Sequence, residues 1–169
     1  LKHSLLFAKT YLPKKTAAGG IKFRLSHFKE NAMSAKIAEI NRAKGAAFLD
    51  DNRKAEGVCE TPSGLQYKIL HEGDDVKPAR EDMVTVHYRG TTIDGAEFDS
   101  SHARGMPATF ALGSVIAGWT EGLQLIGQGG RIMLYIPADL AYGDRTPCTK
   151  IRPGSTLVFD VELLAVDRE

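Results

Sequence analysis

Apolar residues fall into two periodicities along the chain. Ile37, Ile40, Ala43, Ala47 and Phe48 recur at helical spacing, so a helix is predicted over residues 34–56. Ser34 is the expected N-cap and Gly57 the expected stop. Gly45 within it costs about 1 kcal/mol relative to alanine. From Thr61 the period shortens to two. Leu65–Leu70 alternates between turn signals, and Met83–Gly90 sets Val84, Val86 and Tyr88 on one face. Asp94-Gly95 is a hairpin signal. Ile116, Trp119, Leu123 and Ile126 share one face of a short helix over 116–125, and strands follow over 131–136 and 156–166. The fold class expected is α+β: a bent antiparallel β-sheet of about five strands wrapped around one short helix, preceded by an N-terminal helix.

Composition refines this picture. Hydrophobic residues make up 43% of 169, enough for one core with an appendage. The net charge of +1 averages two unlike segments. Residues 1–29 hold seven Lys or Arg and no acid, whereas from Met33 onward there are 15 basic and 20 acidic residues. A body of net negative charge argues against nucleic acid as a partner, since that binding rests on phosphate neutralisation. No apolar run approaches the ~20 residues of a membrane span. Cys59 and Cys148 stand far apart and in no CxxC arrangement, so two free thiols are expected.

Residues 1–32 read as a leader, either transit-like or a non-native extension upstream of Met33. The apolar run around Leu5–Phe7 is too short for a secretory h-region, and Lys9 interrupts it. A cytoplasmic location is expected, with a periplasmic or organellar one as the alternative if the basic leader is a targeting segment.

The chemistry concentrates between Val84 and Gly143. Aromatic and aliphatic residues gather there with one lone carboxylate, Asp99, and no nucleophile with a matched base or phosphate loop. The five histidines show no ligand spacing, so no metal site and no cofactor are expected. Taken singly, Trp119, Phe110 and Phe159 read as ordinary core residues, Asp99 as a turn residue and Tyr142 as a loop anchor. Their order says more. VHYRG, DGAEFDSS, VIAGWTEGLQL, IPADLAYG and STLVFDVELL follow one another in a pattern that resembles the FKBP-type peptidyl-prolyl cis-trans isomerases. The lead-in RAKGAAFLDDNRKAEGV and TPSGLQYKIL resembles the Mip-like bacterial branch, with a shortened helical arm. The resemblance implies three parts: the leader 1–32, a helical arm 33–60 and an FKBP-type isomerase domain 61–169.

The resemblance also implies the site. Trp119 forms the pocket floor, with Tyr88, Phe98, Phe110, Val115, Ile116 and Phe159 as walls. The Ile116 N–H and the Tyr142 hydroxyl bind substrate, Asp99 is the polar group at the wall with Arg104 as its partner, and Ile151 sits on the loop after Tyr142. The implied partners are proline-containing peptides, unfolded proteins and macrolide inhibitors, with a weak homodimer through the N-terminal helix. The function implied is acceleration of X-Pro isomerisation in protein folding; the alternative is a non-catalytic proline-peptide binding module or chaperone. Departures from the family pattern lie at Ala108, which makes the wall smaller, and at Pro147, Lys150 and Arg152, which make the rim more polar and cationic. By charge, Lys150 and Arg152 suit acidic residues beside the proline.

Overall fold

The computed structural model describes residues 21–168, so the first twenty residues of the expected leader lie outside the described residues. Helix α1 (Ile21–Asn52) is followed by β1 (Cys59–Glu60), β2 (Gln66–His71), β3 (Met83–Thr92), β4 (Glu97–Ser100), β5 (Ala108–Ala111), helix α2 (Ala117–Leu123), β6 (Arg131–Ile136) and β7 (Leu157–Asp167). All strand pairs are antiparallel, in the order β1-β2-β6-β7-β3-β4, with β5 also on β3.

Alternation explains how the sheet closes on α2. In β6 and β7, Ile132, Leu134, Ile136, Leu157, Phe159, Val161 and Leu163 are buried, and the residues between them are more exposed. One face therefore meets the core and the other meets water. Helix α2 lies close against β6 because two of its residues lack side chains. A Cβ on Gly118 would come within 2.5 Å of Ile136 Cγ2, and one on Gly122 within 2.4 Å of Leu134 Cδ2. The Thr120 hydroxyl donates to the Leu112 carbonyl at 2.7 Å and fixes the entry to the helix.

The sheet has seven strands where about five are expected. The additional ones are short, and a two- or four-residue strand is too brief to display a period. β4 and β5 divide one edge of β3: β4 pairs with Arg89–Thr91 and β5 with Met83–Val86. The chain between them leaves the sheet and carries Arg104.

Helix α1 differs more from expectation. It runs through Ser34, which is interior and not an N-cap, and it ends at Asn52, before Gly57. Ile40, Ala43 and Ala47, expected on the packed face, are exposed. The docked face instead holds Ala38, Asn41, Arg42, Gly45, Phe48 and Leu49. The reason is that α1 rests largely on polar groups of the loops and Thr156, which selects small and hydrogen-bonding residues. Asn41 Nδ2 donates to the Pro153 carbonyl at 2.8 Å. Arg42 bridges Asp139 at 2.7 Å and Asp144 at 2.9 Å. Gly45 abuts Thr156. Further along, Gln66 Nε2 donates to the Leu49 carbonyl at 2.9 Å, and Phe48 tilts against Tyr135. No described helix is long and apolar enough to cross a membrane.

Candidate active site

The residues singled out from sequence come from seven different segments, and the fold brings them together. Trp119, from α2, is 0% exposed and stands at the centre. Three rings meet it edge-on: Tyr88 from β3 at 5.1 Å, Phe159 from β7 at 5.3 Å and Phe110 from β5 at 5.9 Å. Phe98 of β4 stands edge-on to Phe159 at 5.4 Å. Such perpendicular contacts suit the ring quadrupoles and hold each ring in one orientation. Val115, Ile116, Tyr142 and Ile151 complete the same apolar cluster. The indole itself reaches no solvent. Water meets the cluster at its rim, where Phe98 is 8%, Ile116 7% and Tyr142 6% exposed. Ala108 packs against the cluster as a partly buried residue.

One buried side-chain N–H in this apolar region is unsatisfied among the described residues. The Trp119 indole nitrogen is buried without a hydrogen-bond partner. Ile116 is the N-cap of α2 (φ −58°, ψ 147°), so its backbone N–H lies outside the helix's own hydrogen-bond ladder.

Asp99 anchors a three-residue network at one wall. Its carboxylate accepts a 2.5 Å hydrogen bond from the Tyr88 hydroxyl and pairs with Arg104. Arg104 also donates to the Tyr88 oxygen at 2.8 Å, and its guanidinium lies 5.5 Å from the Tyr88 ring centroid. Burial works against the Arg104 charge, but the bonds to Tyr88 and Asp99 outweigh it and raise its pKa. The carboxylate's lone pairs are thus directed at donors rather than at the apolar surface. Tyr142 is held firmly neutral: burial first, then the Asp99 charge, pushes its phenol pKa upward.

Two shaping residues escape a reading focused on reactive side chains. Gly90 lies between Phe159 on β7 and Asp99 on β4. A Cβ there would lie 2.6 Å from Phe98 Cζ and 2.8 Å from Phe159 Cε1. The available signal is a glycine inside a strand pattern, which marks close approach. Ser101 is the second. Its hydroxyl oxygen accepts from the Tyr88 backbone N–H at 2.8 Å and contacts His87 Nδ1 at 2.8 Å. It thereby ties the Arg104 loop to β3. His87 stacks on His102 at 4.2 Å on the outer side of the sheet. Among the described residues, no group of three or more His, Cys, Asp or Glu could hold a metal ion. Cys148 is half-buried against the cluster, and Cys59 is exposed on β1.

Comparison with known proteins decides the family. The family model described as FKBP-type peptidyl-prolyl cis-trans isomerase matches residues 74–164, more than half of the chain. The chain belongs to the FKBP-type peptidyl-prolyl cis-trans isomerase family. A second model, described as the domain amino terminal to FKBP-type peptidyl-prolyl isomerase, matches residues 9–69 and so begins within the expected leader. The chain is 51% identical over 129 residues to a probable FKBP-type isomerase, FkpA, of Neisseria meningitidis serogroup B, covering 76% of the chain and 47% of that protein. It is 46% identical over 150 residues to the outer membrane protein MIP of Legionella longbeachae, covering 85% and 64%. It is 46% identical over 140 residues to the 22 kDa FKBP-type isomerase of Escherichia coli K12, covering 83% and 68%. The chain thus spans about half to two thirds of the length of these FKBP relatives. Its fold matches the crystal structure of FkpA from Escherichia coli with a TM-score of 0.78 at 44% identity, over 87% of this chain and 71% of that one.

Proposed function

We propose that this FKBP-family chain accelerates cis–trans isomerisation of X-Pro bonds in folding polypeptides. The observation that carries the reading is the aromatic cluster around Trp119, with Phe98, Ile116 and Tyr142 at its rim.

The chemistry asks little of side chains. An amide rotates over a barrier of roughly 18–20 kcal/mol because resonance holds it planar. The planar form is more polar than the twisted one, so an apolar surround favours the twisted transition state. Each ~1.4 kcal/mol of differential stabilisation gives a tenfold rate. Trp119 is the buried floor, which the pyrrolidine reaches when the rim residues Phe98, Ile116 and Tyr142 part, with Tyr88, Phe98, Phe110, Val115 and Phe159 as walls and Ile151 on the flanking loop. The Ile116 N–H donates to a substrate carbonyl, and the neutral Tyr142 hydroxyl donates a second bond. Arg104 neutralises Asp99, so the wall presents no bare anion to the substrate carbonyl. No covalent intermediate or proton transfer is needed.

The second reading, a non-catalytic proline-peptide module or chaperone, uses the same surface. Turnover of a short X-Pro peptide with and without a macrolide inhibitor separates the two: catalysis abolished by the macrolide supports the isomerase, and binding without turnover supports the module. Macrolide binding itself is part of the proposal and rests on the resemblance.

We also keep the division into a leader (1–32), a helical arm (33–60) and a catalytic domain (61–169) as a proposal. The arm is the proposed surface for weak self-association, supported by exposed Met33 and Ile40 on α1; sedimentation over a concentration series tests it. The relatives do not support the cytoplasmic location expected from sequence. One is named an outer membrane protein, so we propose the alternative, a compartment outside the cytoplasm, to be tested by cell fractionation.

A further inference from the structure

Beside the candidate site lies a groove of about 230 Å³, formed where α1, the β3–β4 turn and the loop before β7 meet. Lys44 comes from α1, Asp94 from the turn, and Lys150 and Arg152 from the loop. The three elements are fastened to one another. Asn41 bonds the Pro153 carbonyl at 2.8 Å, Gly45 packs on Thr156, and Lys150 Nζ donates to the Glu97 carbonyl at 3.0 Å. The groove is therefore a fixed feature and not a gap between loose loops.

Its charge is unbalanced. Three cations face one acid, Asp94, and none of the three forms an ion pair among the described residues. Elsewhere on the surface Arg42, Arg89 and Arg131 are each paired with carboxylates. The body from Met33 carries a net negative charge, so this local excess of positive charge opposes the average. The loop that lines the groove also contributes to the site. Ile151, between Lys150 and Arg152, is buried in the aromatic cluster, and the carbonyl that Lys150 binds belongs to the residue before Phe98.

We propose that this groove is a second subsite that takes the carboxylates of an acidic segment flanking the target proline in a client polypeptide. The inference rests on the isomerase reading. It adds a specificity device in which the arm supplies one cation, Lys44, and the catalytic domain two. Charge complementarity beside a binding surface raises encounter rates and favours matching partners.

Three peptides with one central X-Pro bond test it: four glutamates before the bond, four glutamates after it, or glutamines at all these positions. Turnover is measured for the wild type and for the triple variant K44Q/K150Q/R152Q. One glutamate peptide exceeds the glutamine peptide by about fivefold at low salt, the size that two or three exposed pairs supply. The advantage disappears near ~0.5 M salt and in the triple variant, while the glutamine peptide is turned over equally by both proteins. The charge-conserving variant K150R/R152K keeps the preference. Equal turnover of all three peptides by the wild type, or a preference that survives the triple substitution, overturns the proposal. If the glutamine peptide is not turned over at all, the isomerase reading fails separately. Fluorescence anisotropy of a labelled glutamate peptide then decides the groove: binding weakened in the triple variant supports it, and unchanged binding refutes it.

Discussion

Gly90→Ala should damage the site more than the fold. The added Cβ would lie 2.6 Å from Phe98 Cζ and 2.8 Å from both Phe98 Cε2 and Phe159 Cε1. Carbon atoms prefer a separation of about 3.5–4.0 Å, so one or both rings must retreat by about 1 Å. Phe159 has no room, since it is fully buried and set edge-on to both Trp119 and Phe98. Phe98 at the rim therefore moves, toward the space a prolyl ring would use. Overpacking of this kind costs about 1–3 kcal/mol of stability. A displacement of about 1 Å at a reacting site can cost up to ~100-fold in rate. The expectation is a drop of about tenfold or more in kcat/KM for a short X-Pro peptide, with a modest fall in the urea midpoint. Gly95→Ala is the control. Unlike Gly90 it has an unfavourable φ, +84°, but nothing lies within 4 Å of the added atom. It should cost about 1 kcal/mol of stability and leave kcat/KM unchanged. Wild-type turnover by Gly90→Ala, or equal losses in the two variants, would refute the reasoning.

Other predictions follow from single contacts. Tyr142→Phe removes one proposed hydrogen bond of about 0.5–1.5 kcal/mol, so kcat/KM for the peptide should fall about two- to tenfold. The buried Tyr142 phenol has its pKa raised by burial, so its contribution is fully present below the unfolded value of ~10 and is lost as pH rises beyond it. Urea unfolding from pH 8 to 11 should show the wild type losing stability relative to Tyr142→Phe. Gly45→Ala should loosen the arm although alanine is the better helix former by about 1 kcal/mol, because its Cβ would come within 2.1 Å of Thr156 Oγ1. Faster hydrogen exchange along α1, reversed by adding Thr156→Ala, checks this.

The long strands and the central helix were legible because each buries one face completely. Arg131–Ile136 shows this: alternation there is strict, and the observed strand has the expected bounds. The aromatic cluster was legible through the ordered motifs, since Tyr88, Phe98, Trp119 and Phe159 stand far apart in sequence and only the fold joins them. The arm was read less well. Its packing surface is made of Ala38, Asn41, Arg42 and Gly45 against polar groups of the loops and Thr156, and such contacts leave no apolar period in a sequence. β1 and β5 were missed because their pairing is set by neighbours already in the sheet rather than by their own pattern. The role of Gly90 was hidden for a related reason: a missing side chain gains meaning only when the rings that fill its space are known.

The central claim is that an apolar aromatic surround, with no nucleophile, speeds rotation about the prolyl bond. Two-dimensional NMR exchange on a proline peptide measures that rotation directly, with wild type, Phe159→Tyr and Cys148→Ser compared at equal concentration. Phe159→Tyr places a hydroxyl in a fully buried apolar wall, at a cost of about 1–3 kcal/mol. The account predicts rapid exchange with the wild type, at least about a tenfold loss with Phe159→Tyr, and no change with Cys148→Ser. Full activity in Phe159→Tyr together with abolished exchange in Cys148→Ser would contradict it.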